Sequence, residues 1–505
     1  MALWTSPALI SRRLGVAATC VAILTANLPG TANLPGTAIA SAEPTTGRHP
    51  TSSSRACDTN GSSLRYLVVF DKDTSALRAE RAITKACGST TTYYRQIAVA
   101  VARSADPAFE SRIGPDRTFS AQALRGDGSA RSSWPPPADA HPRRSVQATD
   151  VLQGGGGDRT GEQWDMRMIN ADVARAINPG SPDVVVGVLD SGIDATHPEL
   201  ADAVAPDLSV GCLTGEPDTS RRAWAPTDSV HGTHVAGTIA AADDGAGVTG
   251  VAPGVRIASI KVIGEQGHVD PEAVICGLMW AAEHEMQVTN SSYFIDPMAL
   301  SCTSREMRED MGAVREGVAR ATEFATAAGT LNIAAVTNEA VNLSLTPGSG
   351  STAEADGCQA LPAGLRPVVA VSSVGPDRVK AGYSSYGLGV IGVTAPGGES
   401  QQCVLSTVPG GYDRACGTSM AAPHVAGVAA LVASTNPDYG PEQVRDALTS
   451  GAQSAPCPTD YDVTGNGKQD AYCSGYREYN GFYGHGLVDA LTAVTPDLPR
   501  TGSDS

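Results

Sequence analysis

The sequence predicts an α/β fold of three layers, in which helices cover both faces of a mainly parallel central sheet. From about residue 163 onward, short apolar runs typical of buried strands alternate with longer stretches of small residues typical of helices. These helical stretches are long enough to be the crossovers that parallel strands need. The predicted strands are 184–189, 254–262, 288–291, 332–336 and 367–372, and the predicted helices are 231–242, 271–284, 309–328 and 419–434.

A small α+β domain is predicted ahead of this sheet. Residues 65–70 are a β-rich run, residues 75–85 are helix-like, and residues 95–101 are a second strand-like run, so together they make a β-α-β pattern. Residues 126–162 contain consecutive prolines, paired arginines and four consecutive glycines. This composition predicts an exposed linker that proteases reach easily.

The N-terminus predicts export from the cell. Arg12 and Arg13 precede an apolar stretch from Leu14 to about Leu24, which is too short to span a bilayer, and small residues follow up to Ala42. This pattern is typical of a secretory signal, and the paired arginines leave twin-arginine export open as the route. The predicted organisation is a signal at 1–42, the small domain at 43–125, the linker at 126–162, the main domain at 163–495 and a flexible tail at 496–505.

Charge and cysteine content agree with an extracellular protein. The formal net charge of −17 would repel phosphate backbones and anionic lipids, so neither nucleic acid nor a membrane surface is an expected partner. Of the 11 cysteines, one lies in the apolar N-terminal run, which leaves an even number for an oxidising compartment. No C-x-x-C motif occurs, and only the local pairs Cys403–Cys416 and Cys457–Cys473 are predicted as disulfides.

Three segments carry residues suited to nucleophilic catalysis. Asp190 follows the strand 184–189, so its carboxylate emerges at the edge where sites form in parallel sheets. His231 opens a helix of glycines and alanines that can lie close to the sheet. Ser419 follows a Gly-Thr turn at the start of another helix, where its own backbone N–H and the helix dipole would face an oxyanion. Taken singly, an aspartate at a strand end such as Asp190 is usually a turn or cap residue, and an isolated Gly-Thr-Ser such as that of Ser419 is usually a helix cap.

Together, in the order Asp190, His231 and Ser419, these segments resemble the subtilisin-like serine peptidases. The resemblance runs from about residue 163 to the segment 484–490, and residues 65–101 resemble the inhibitory propeptide of that family more weakly. It implies that Ser419 is the nucleophile, that His231 is the base and then the acid, and that Asp190 orients and stabilises His231.

The same resemblance implies further site residues. Asn338 is similar to the side-chain oxyanion donor of the family. Substrate-binding residues are implied at Ser292, Tyr293, Phe294, Ala335, Val336 and Thr337. Two of these depart from the family pattern, because Thr337 stands where glycine is usual and Phe294 also replaces a glycine. Extended substrate is expected to add as a strand beside residues 292–294. Phe294 is expected to block or remodel this groove, and Thr337 is expected to narrow or reshape the wall of the pocket for the residue before the scissile bond.

A calcium site is also implied by the resemblance. Glu199 and Asp244 occupy positions similar to parts of a calcium site in the family, and carboxylates and carbonyls in a loop suit this ion. An acidic turn without a metal is the alternative. No cofactor is expected for catalysis.

The function predicted from the sequence is a secreted, monomeric serine endopeptidase that acts on proteins or peptides. It is made as a zymogen, with its own propeptide as inhibitor. The alternatives are a binding protein built on a protease scaffold and a specialised processing peptidase with a remodelled cleft. Acyl transfer to small esters is a third possibility that no residue specifies.

Overall fold

The computed structural model describes residues 57–126, 152–153, 157–295, 305–344 and 359–495, with only the backbone described at 152–153 and 305–310. The predicted secretory signal and the predicted tail lie outside these residues. No helix in these ranges is long and apolar enough to cross a membrane.

The first described part, residues 57–126, folds around a small antiparallel sheet. Its four strands lie in the order β2-β3-β1-β4, and β3 pairs antiparallel with both β1 and β2. Its elements are β1 (Leu64–Val69), α1 (Ala76–Lys85), β2 (Ser89–Tyr94), β3 (Val99–Ser104), α2 (Phe109–Ile113), β4 (Thr118–Phe119) and α3 (Ala121–Arg125).

This small α+β unit differs from the predicted pattern in its second half. Strand β1 and helix α1 are confirmed, but the strand β2 was missed because its sequence, Ser-Thr-Thr-Thr-Tyr-Tyr, has few apolar residues. The predicted strand at 95–101 begins too early, since residues 95–98 form a turn in which Ala98 has φ +52°.

The second part contains the remaining elements. They are β5 (Leu152–Gln153), α4 (Trp164–Met168), α5 (Ala171–Ile177), β6 (Val185–Asp190), β7 (Val210–Gly211), α6 (Arg221–Trp224), α7 (His231–Ala240), β8 (Arg256–Lys261), α8 (Pro271–Glu283), β9 (Val288–Ser291), α9 (Arg305–Ala327), β10 (Leu331–Ala335), β11 (Val368–Val374), β12 (Ile391–Pro396), β13 (Val404–Val408), β14 (Gly411–Ala415), α10 (Thr418–Thr435), α11 (Pro441–Gly451) and α12 (Ala490–Val494).

Seven strands of the described residues form one sheet in the order β12-β11-β10-β9-β6-β8-β7. Neighbouring strands in this sheet pair in parallel, which confirms the predicted fold class. The apolar run of β6 is buried along its whole length, as expected for a strand with helices on both faces. The chain runs from β6 to one side of the sheet and then returns to the other side at β9. The carboxyl ends of β6 and β9 therefore flank a topological switch point, where ligands bind in such sheets.

A short antiparallel sheet lies beside the main one. Strands β13 and β14 form a hairpin, and β5 adds to β14. Residues 152–153 belong to the predicted linker, as does a 3-10 helix at Thr160–Glu162. Part of this segment is therefore attached to the main domain.

Small residues allow helices α7 and α10 to pack closely on one face of the sheet. Within α10, Ala426, Ala429 and Ala430 are fully buried, and they share a core with Val235 and Ile239 of α7. Small side chains keep these helices close to the sheet, and the first residues of both helices lie at the same edge of the sheet.

The other face of the sheet shares its core with the first part of the chain. Leu67, Val69 and Val101 of the small antiparallel sheet lie in one apolar cluster with Ile275 of α8 and Val314 of α9. The small unit thus packs on these two helices by its apolar face.

Disulfides close loops in both parts. The predicted pairs Cys403–Cys416 and Cys457–Cys473 are confirmed. Cys57–Cys87 and Cys212–Cys276 are also bonded. The second of these bridges 64 residues, and sequence spacing gave no signal for so distant a pair.

Candidate active site

The predicted catalytic residues follow the ends of parallel strands or begin helices beside them. Asp190 is the last residue of β6, and Ser292 directly follows β9. Asn338 lies three residues beyond β10, and His231 and Ser419 lie at the starts of α7 and α10. Since the strands are parallel, these positions share the carboxyl edge of the sheet.

Asp190 and His231 form a hydrogen-bonded pair. His231 Nδ1 lies 2.8 Å from Asp190 Oδ1 and 3.0 Å from Oδ2. The Asp190 carboxylate is fully buried and also accepts a hydrogen bond of 2.7 Å from the backbone N–H of Ser191. Burial disfavours the imidazolium, but the charge of Asp190 and its hydrogen bond outweigh that effect and raise the pKa of His231 above its ordinary value. Asp190 therefore stabilises a positive charge on His231.

Gly232 makes this close approach possible. A Cβ atom at Gly232 would lie 2.4 Å from the Gly192 carbonyl oxygen and 3.1 Å from Asp190 Oδ1. The Gly232 backbone N–H also donates to Ser191 Oγ at 3.0 Å. The glycine after His231 thus lets α7 begin directly against the loop that follows β6.

Ser419 is half-buried at the first turn of α10. Gly417, with φ +155°, adopts a backbone conformation that other residues rarely take, and it turns the chain from β14 into the helix. Ser419 Oγ donates to the Ser292 carbonyl oxygen at 3.3 Å, and Ser292 Oγ donates to the Ser419 carbonyl oxygen at 2.9 Å. These reciprocal bonds attach the start of α10 to the end of β9.

Asn338 is held by Thr418, the residue before Ser419. The Thr418 backbone N–H and its Oγ1 both donate to Asn338 Oδ1, each at 2.9 Å. With its oxygen engaged in this way, the amide has its Nδ2 group left to donate, and Asn338 is exposed at the surface. Thr418 was not singled out from the sequence, because a threonine before a helix is usually read as part of the turn.

The implied substrate-binding residues lie beside this group. Ser292, Tyr293, Ala335, Val336 and Thr337 are buried, and Phe294 is partly exposed. The structure describes residues 292–295 but not residues 296–304.

Thr337 has a defined orientation. Its Oγ1 lies 2.7 Å from Ser385 Oγ, and the Ser385 backbone N–H donates to the Thr337 carbonyl oxygen at 3.0 Å. This pair of hydroxyls links the segment that carries Asn338 to the segment 384–385. The sequence indicated a changed pocket wall at Thr337 but not its partner.

Two other histidines near the site are structural. His234 is buried with Nε2 at 3.2 Å from the Val404 carbonyl oxygen, and burial lowers its pKa to about 4, so it stays neutral. His424 is fully buried, with Nε2 at 3.0 Å from Asp165 Oδ2 and Nδ1 at 2.8 Å from the Met420 carbonyl oxygen. The sequence assigned neither residue a catalytic role.

Glu199 and Asp244, the residues implied for calcium, lie in neighbouring loops. Glu199 is buried, and its Oε1 accepts a hydrogen bond of 2.6 Å from the Tyr412 hydroxyl. Its Oε2 is buried without a hydrogen-bond partner. Burial, above all, and the charge of Asp244 raise the pKa of Glu199, although the Tyr412 bond acts in the opposite direction. A buried, unpartnered carboxylate oxygen beside an acidic loop fits a hard cation that prefers oxygen ligands.

Comparisons with known proteins agree with this geometry. The profile of the subtilase family matches residues 181–486. Alkaline elastase YaB from Bacillus sp. (strain YaB) is 34% identical over 290 residues, which are 57% of this chain and 64% of that protein. Subtilisin Savinase from Lederbergia lenta is 34% identical over 294 residues, which are 58% of this chain and 91% of that protein. The match thus spans just under two thirds of the elastase and most of the shorter subtilisin.

Solved structures are similar as well. A lanthipeptide protease has 25% sequence identity and a TM-score of 0.52, with 68% of this chain and 99% of that chain covered. The epidermin leader peptide processing serine protease from Staphylococcus aureus has a TM-score of 0.61 over 88% of this chain and 100% of its own. Its identity is 16%, so this second similarity concerns the fold alone.

The fold and these matches define a class, the subtilisin-like serine endopeptidases. The family profile covers more than half of the sequence, so the chain belongs to the subtilase family.

The effect of Asp190 on the pKa of His231 can be tested without measuring catalysis. In the Asp190→Asn variant, the carboxylate charge is removed while the burial of His231 remains, so the pKa of His231 should fall. NMR titration of the His231 imidazole, in a Ser419→Ala background, measures this change. The titration of the other histidines is the internal control. An unchanged or higher pKa of His231 would show that Asp190 does not stabilise the imidazolium.

Proposed function

We propose that this chain is a secreted serine endopeptidase, made as a zymogen, that hydrolyses peptide bonds with Ser419, His231 and Asp190. The observation that carries the proposal is the pair of contacts that hold the reacting groups: His231 Nδ1 on Asp190 and Asn338 Oδ1 on Thr418, next to Ser419. Membership of the subtilase family supports the same chemistry.

In the first half of the reaction, Ser419 Oγ attacks the peptide carbonyl carbon and passes its proton to His231 Nε2. The hydroxyl has first to leave the Ser292 carbonyl oxygen, to which it donates at 3.3 Å. Asp190 keeps the other imidazole proton on Nδ1 and stabilises the cation that forms. His231 then gives its proton to the leaving amine, and an acyl-enzyme on Ser419 remains.

The oxyanion formed by attack is expected to accept hydrogen bonds from two donors. One is Asn338 Nδ2, supported by the two bonds from Thr418 to Asn338 Oδ1. The other is the Ser419 backbone N–H, which is free of an intrahelical partner because the first N–H groups of a helix have none. Water, activated by His231, then hydrolyses the acyl-enzyme by the same steps in reverse.

The residues 43–125 are proposed to act as an inhibitory propeptide, joined to residues 163–495 by the linker 126–162. Support comes from the apolar core that Leu67 and Val69 share with helices α8 and α9. A unit that buries so apolar a face on its neighbour is held there by contacts other than the linker. The N-terminal residues 1–42, with the features of a secretory signal, support export.

A second candidate is a processing peptidase that accepts few substrates. It is favoured by the Thr337–Ser385 hydroxyl pair, which fills space next to Asn338 where the family usually has glycine, and by Phe294 beside Ser292. The solved structure of a lanthipeptide protease is one of the similar folds. A peptide-library cleavage profile separates the two candidates: a general endopeptidase cuts many sequences, whereas a processing enzyme cuts one or two closely related sets.

We further propose a structural calcium ion held by Glu199 and Asp244. The buried Glu199 Oε2, which has no hydrogen-bond partner, supports this proposal. The ion would neutralise the two carboxylates and join the loop that contains Asp244 to Glu199. It takes no part in the reaction at Ser419.

Replacement of Ser419 tests the proposed activity. Wild-type protein should be cut within residues 126–162 and should release peptides from casein, while Ser419→Ala should remain uncut and inactive. The Asn338→Ala variant should still cut its own linker. Its kcat for peptide hydrolysis should be lowered about 100- to 1,000-fold, the range found when one oxyanion donor of subtilisin is removed. Peptide release and mass spectrometry of the chain measure both effects. If wild type and Ser419→Ala behave alike, the chain is a binding protein on a protease scaffold.

The calcium proposal is tested by stability rather than activity. In the Ser419→Ala background, added Ca²⁺ should raise the melting temperature, and Glu199→Gln should abolish most of that rise. The rise should be smaller at pH 5 than at pH 8, because protons compete for a carboxyl group whose pKa is raised. Asp207→Asn, at an exposed position, is the control for loss of one carboxylate. A rise that Glu199→Gln leaves unchanged would contradict this site.

A further inference from the structure

Charged residues join the small N-terminal unit to the start of helix α8. Arg65, in β1, donates from Nε to Glu272 Oε1 at 2.5 Å and from Nη2 to Asp270 Oδ2 at 2.8 Å. Arg125, the last residue of α3, lies 2.7 Å by its Nη1 from Asp270 Oδ1. These four residues, Arg65, Arg125, Asp270 and Glu272, are called the arginine clamp below.

The arginine clamp is largely shielded from water. The side chains of Arg65 and Asp270 are each 11% exposed and that of Glu272 is 2% exposed, whereas that of Arg125 is 25% exposed. Ion pairs removed from solvent are screened little by salt, and loss of one partner leaves the other charge buried and uncompensated. The clamp is therefore unlike the exposed pair of Gln96 and Glu283 elsewhere on the same interface.

Within the described residues, the cations of the clamp come only from the N-terminal unit, and the anions come only from Glu272 in α8 and from Asp270, which directly precedes α8. The ion pairs of Asp270 and Glu272 are with Arg65 and Arg125. The start of α8 compensates part of their charge, because helix N-termini favour carboxylates. When the N-terminal unit leaves, two neighbouring carboxylates lose both of their cations.

Among the described residues, the other contacts of this interface that are shielded from water are apolar or have a backbone carbonyl oxygen as acceptor. Leu67, Val69 and Val101 contribute apolar contacts to the shared core. The Tyr94 hydroxyl donates to the Gly215 carbonyl oxygen at 2.8 Å, and Arg320 of α9 donates to the backbone carbonyl oxygens of Phe70 and Ile97. Apolar faces and backbone carbonyls accept many partners, whereas each charge of the clamp requires an opposite charge on the other side of the interface.

We propose that the arginine clamp is the element by which the peptidase domain recognises its own propeptide and retains it after the linker is cut. The inference rests on the proposed role of residues 43–125 as a propeptide and adds the residues that determine the recognition. The partner that fits the surface at the start of α8 is an antiparallel sheet with an apolar face, one arginine in β1 and a second arginine at the end of helix α3. A propeptide without these arginines leaves Asp270 and Glu272 buried without a cation.

The position of the clamp suits retention after cleavage. Arg65 holds the first strand of the N-terminal unit, and Arg125 holds its last helix, immediately before the linker. Cleavage within 126–162 therefore leaves β1 paired with Asp270 and Glu272 through Arg65, and α3 paired with Asp270 through Arg125. Arg125 contributes charge rather than a directed bond, because neither Arg125 Nη1 nor Asp270 Oδ1 has a hydrogen bond of good geometry.

The test uses the full chain with Ser419→Ala, so that retention is measured without any activity of the protein. A recognition sequence for an added site-specific protease is placed within residues 127–151, the linker is cut, and the propeptide that remains bound is measured by size-exclusion chromatography over a dilution series. In the unmodified clamp, the propeptide should co-elute with the peptidase domain. Arg65→Glu and Glu272→Arg should each weaken retention by about 30-fold or more.

The double variant Arg65→Glu/Glu272→Arg should retain the propeptide at least tenfold more tightly than either single variant, because the charges at the two positions are opposite again. Arg81→Glu makes the same change of net charge at an exposed position of α1 and should leave retention unchanged. Arg65→Lys should weaken retention, since a lysine cannot bond both carboxylates with the geometry of a guanidinium, whereas Arg125→Lys should not.

Two results would overturn the proposal. One is retention by Arg65→Glu equal to that of Arg81→Glu. The other is a double variant no better than either single variant, which would mean that the loss comes from disturbed packing. If Arg65→Glu does not fold, as judged by circular dichroism before cleavage, Glu272→Gln on the other side of the clamp takes its place with the same expected loss. None of these results depends on whether Ser419 is catalytic, so failure here is distinct from failure of the proposed activity.

Discussion

The burial of Asp190 is the constraint on which the active site depends. A fully buried carboxylate needs hydrogen bonds and a positive partner, and the Ser191 backbone N–H and His231 supply them. Helix α7 can bring His231 to that position only because Gly232 has no side chain to collide with the Gly192 carbonyl oxygen. The parallel sheet fixes Asp190 at the end of β6, so the arrangement of the helix, the glycine and the imidazole follows from the location of one charge.

The remaining reacting groups are tied to the same edge through neutral contacts. Ser292 and Ser419 exchange hydrogen bonds between the end of β9 and the start of α10, and Thr418 fixes the Asn338 oxygen. On the opposite face, the N-terminal unit completes the apolar core of α8 and α9. The proposed catalytic residues lie at the carboxyl edge of the sheet, whereas the N-terminal unit packs on helices α8 and α9. Loss of that unit would therefore leave the contacts among the proposed catalytic residues in place.

The sequence predicted the parallel sheet well because strands buried on both faces read as continuous apolar runs, as in Val185–Leu189. It predicted the N-terminal unit less well, because the polar strand β2 and the positive φ of Ala98 leave no periodic signal. Asp190, His231 and Ser419 were predicted from their segments, and the structure places His231 Nδ1 within hydrogen-bond distance of Asp190. The roles of Thr418 and Ser385 and the pairing of Arg65 with Glu272 depend on contacts between residues far apart in the chain, which spacing along the sequence does not encode.

We propose that His231 activates Ser419 by accepting its proton, and that the negative charge of Asp190 makes His231 a stronger base. Labelling with a fluorophosphonate, which forms a covalent bond with an activated serine, followed by peptide mass spectrometry, tests it most directly. The wild-type chain, freed of its propeptide, should carry one adduct, on the peptide that contains Ser419, and His231→Ala should label far more slowly. An adduct on another residue, or equal labelling of wild type and His231→Ala, would contradict activation of Ser419 by His231.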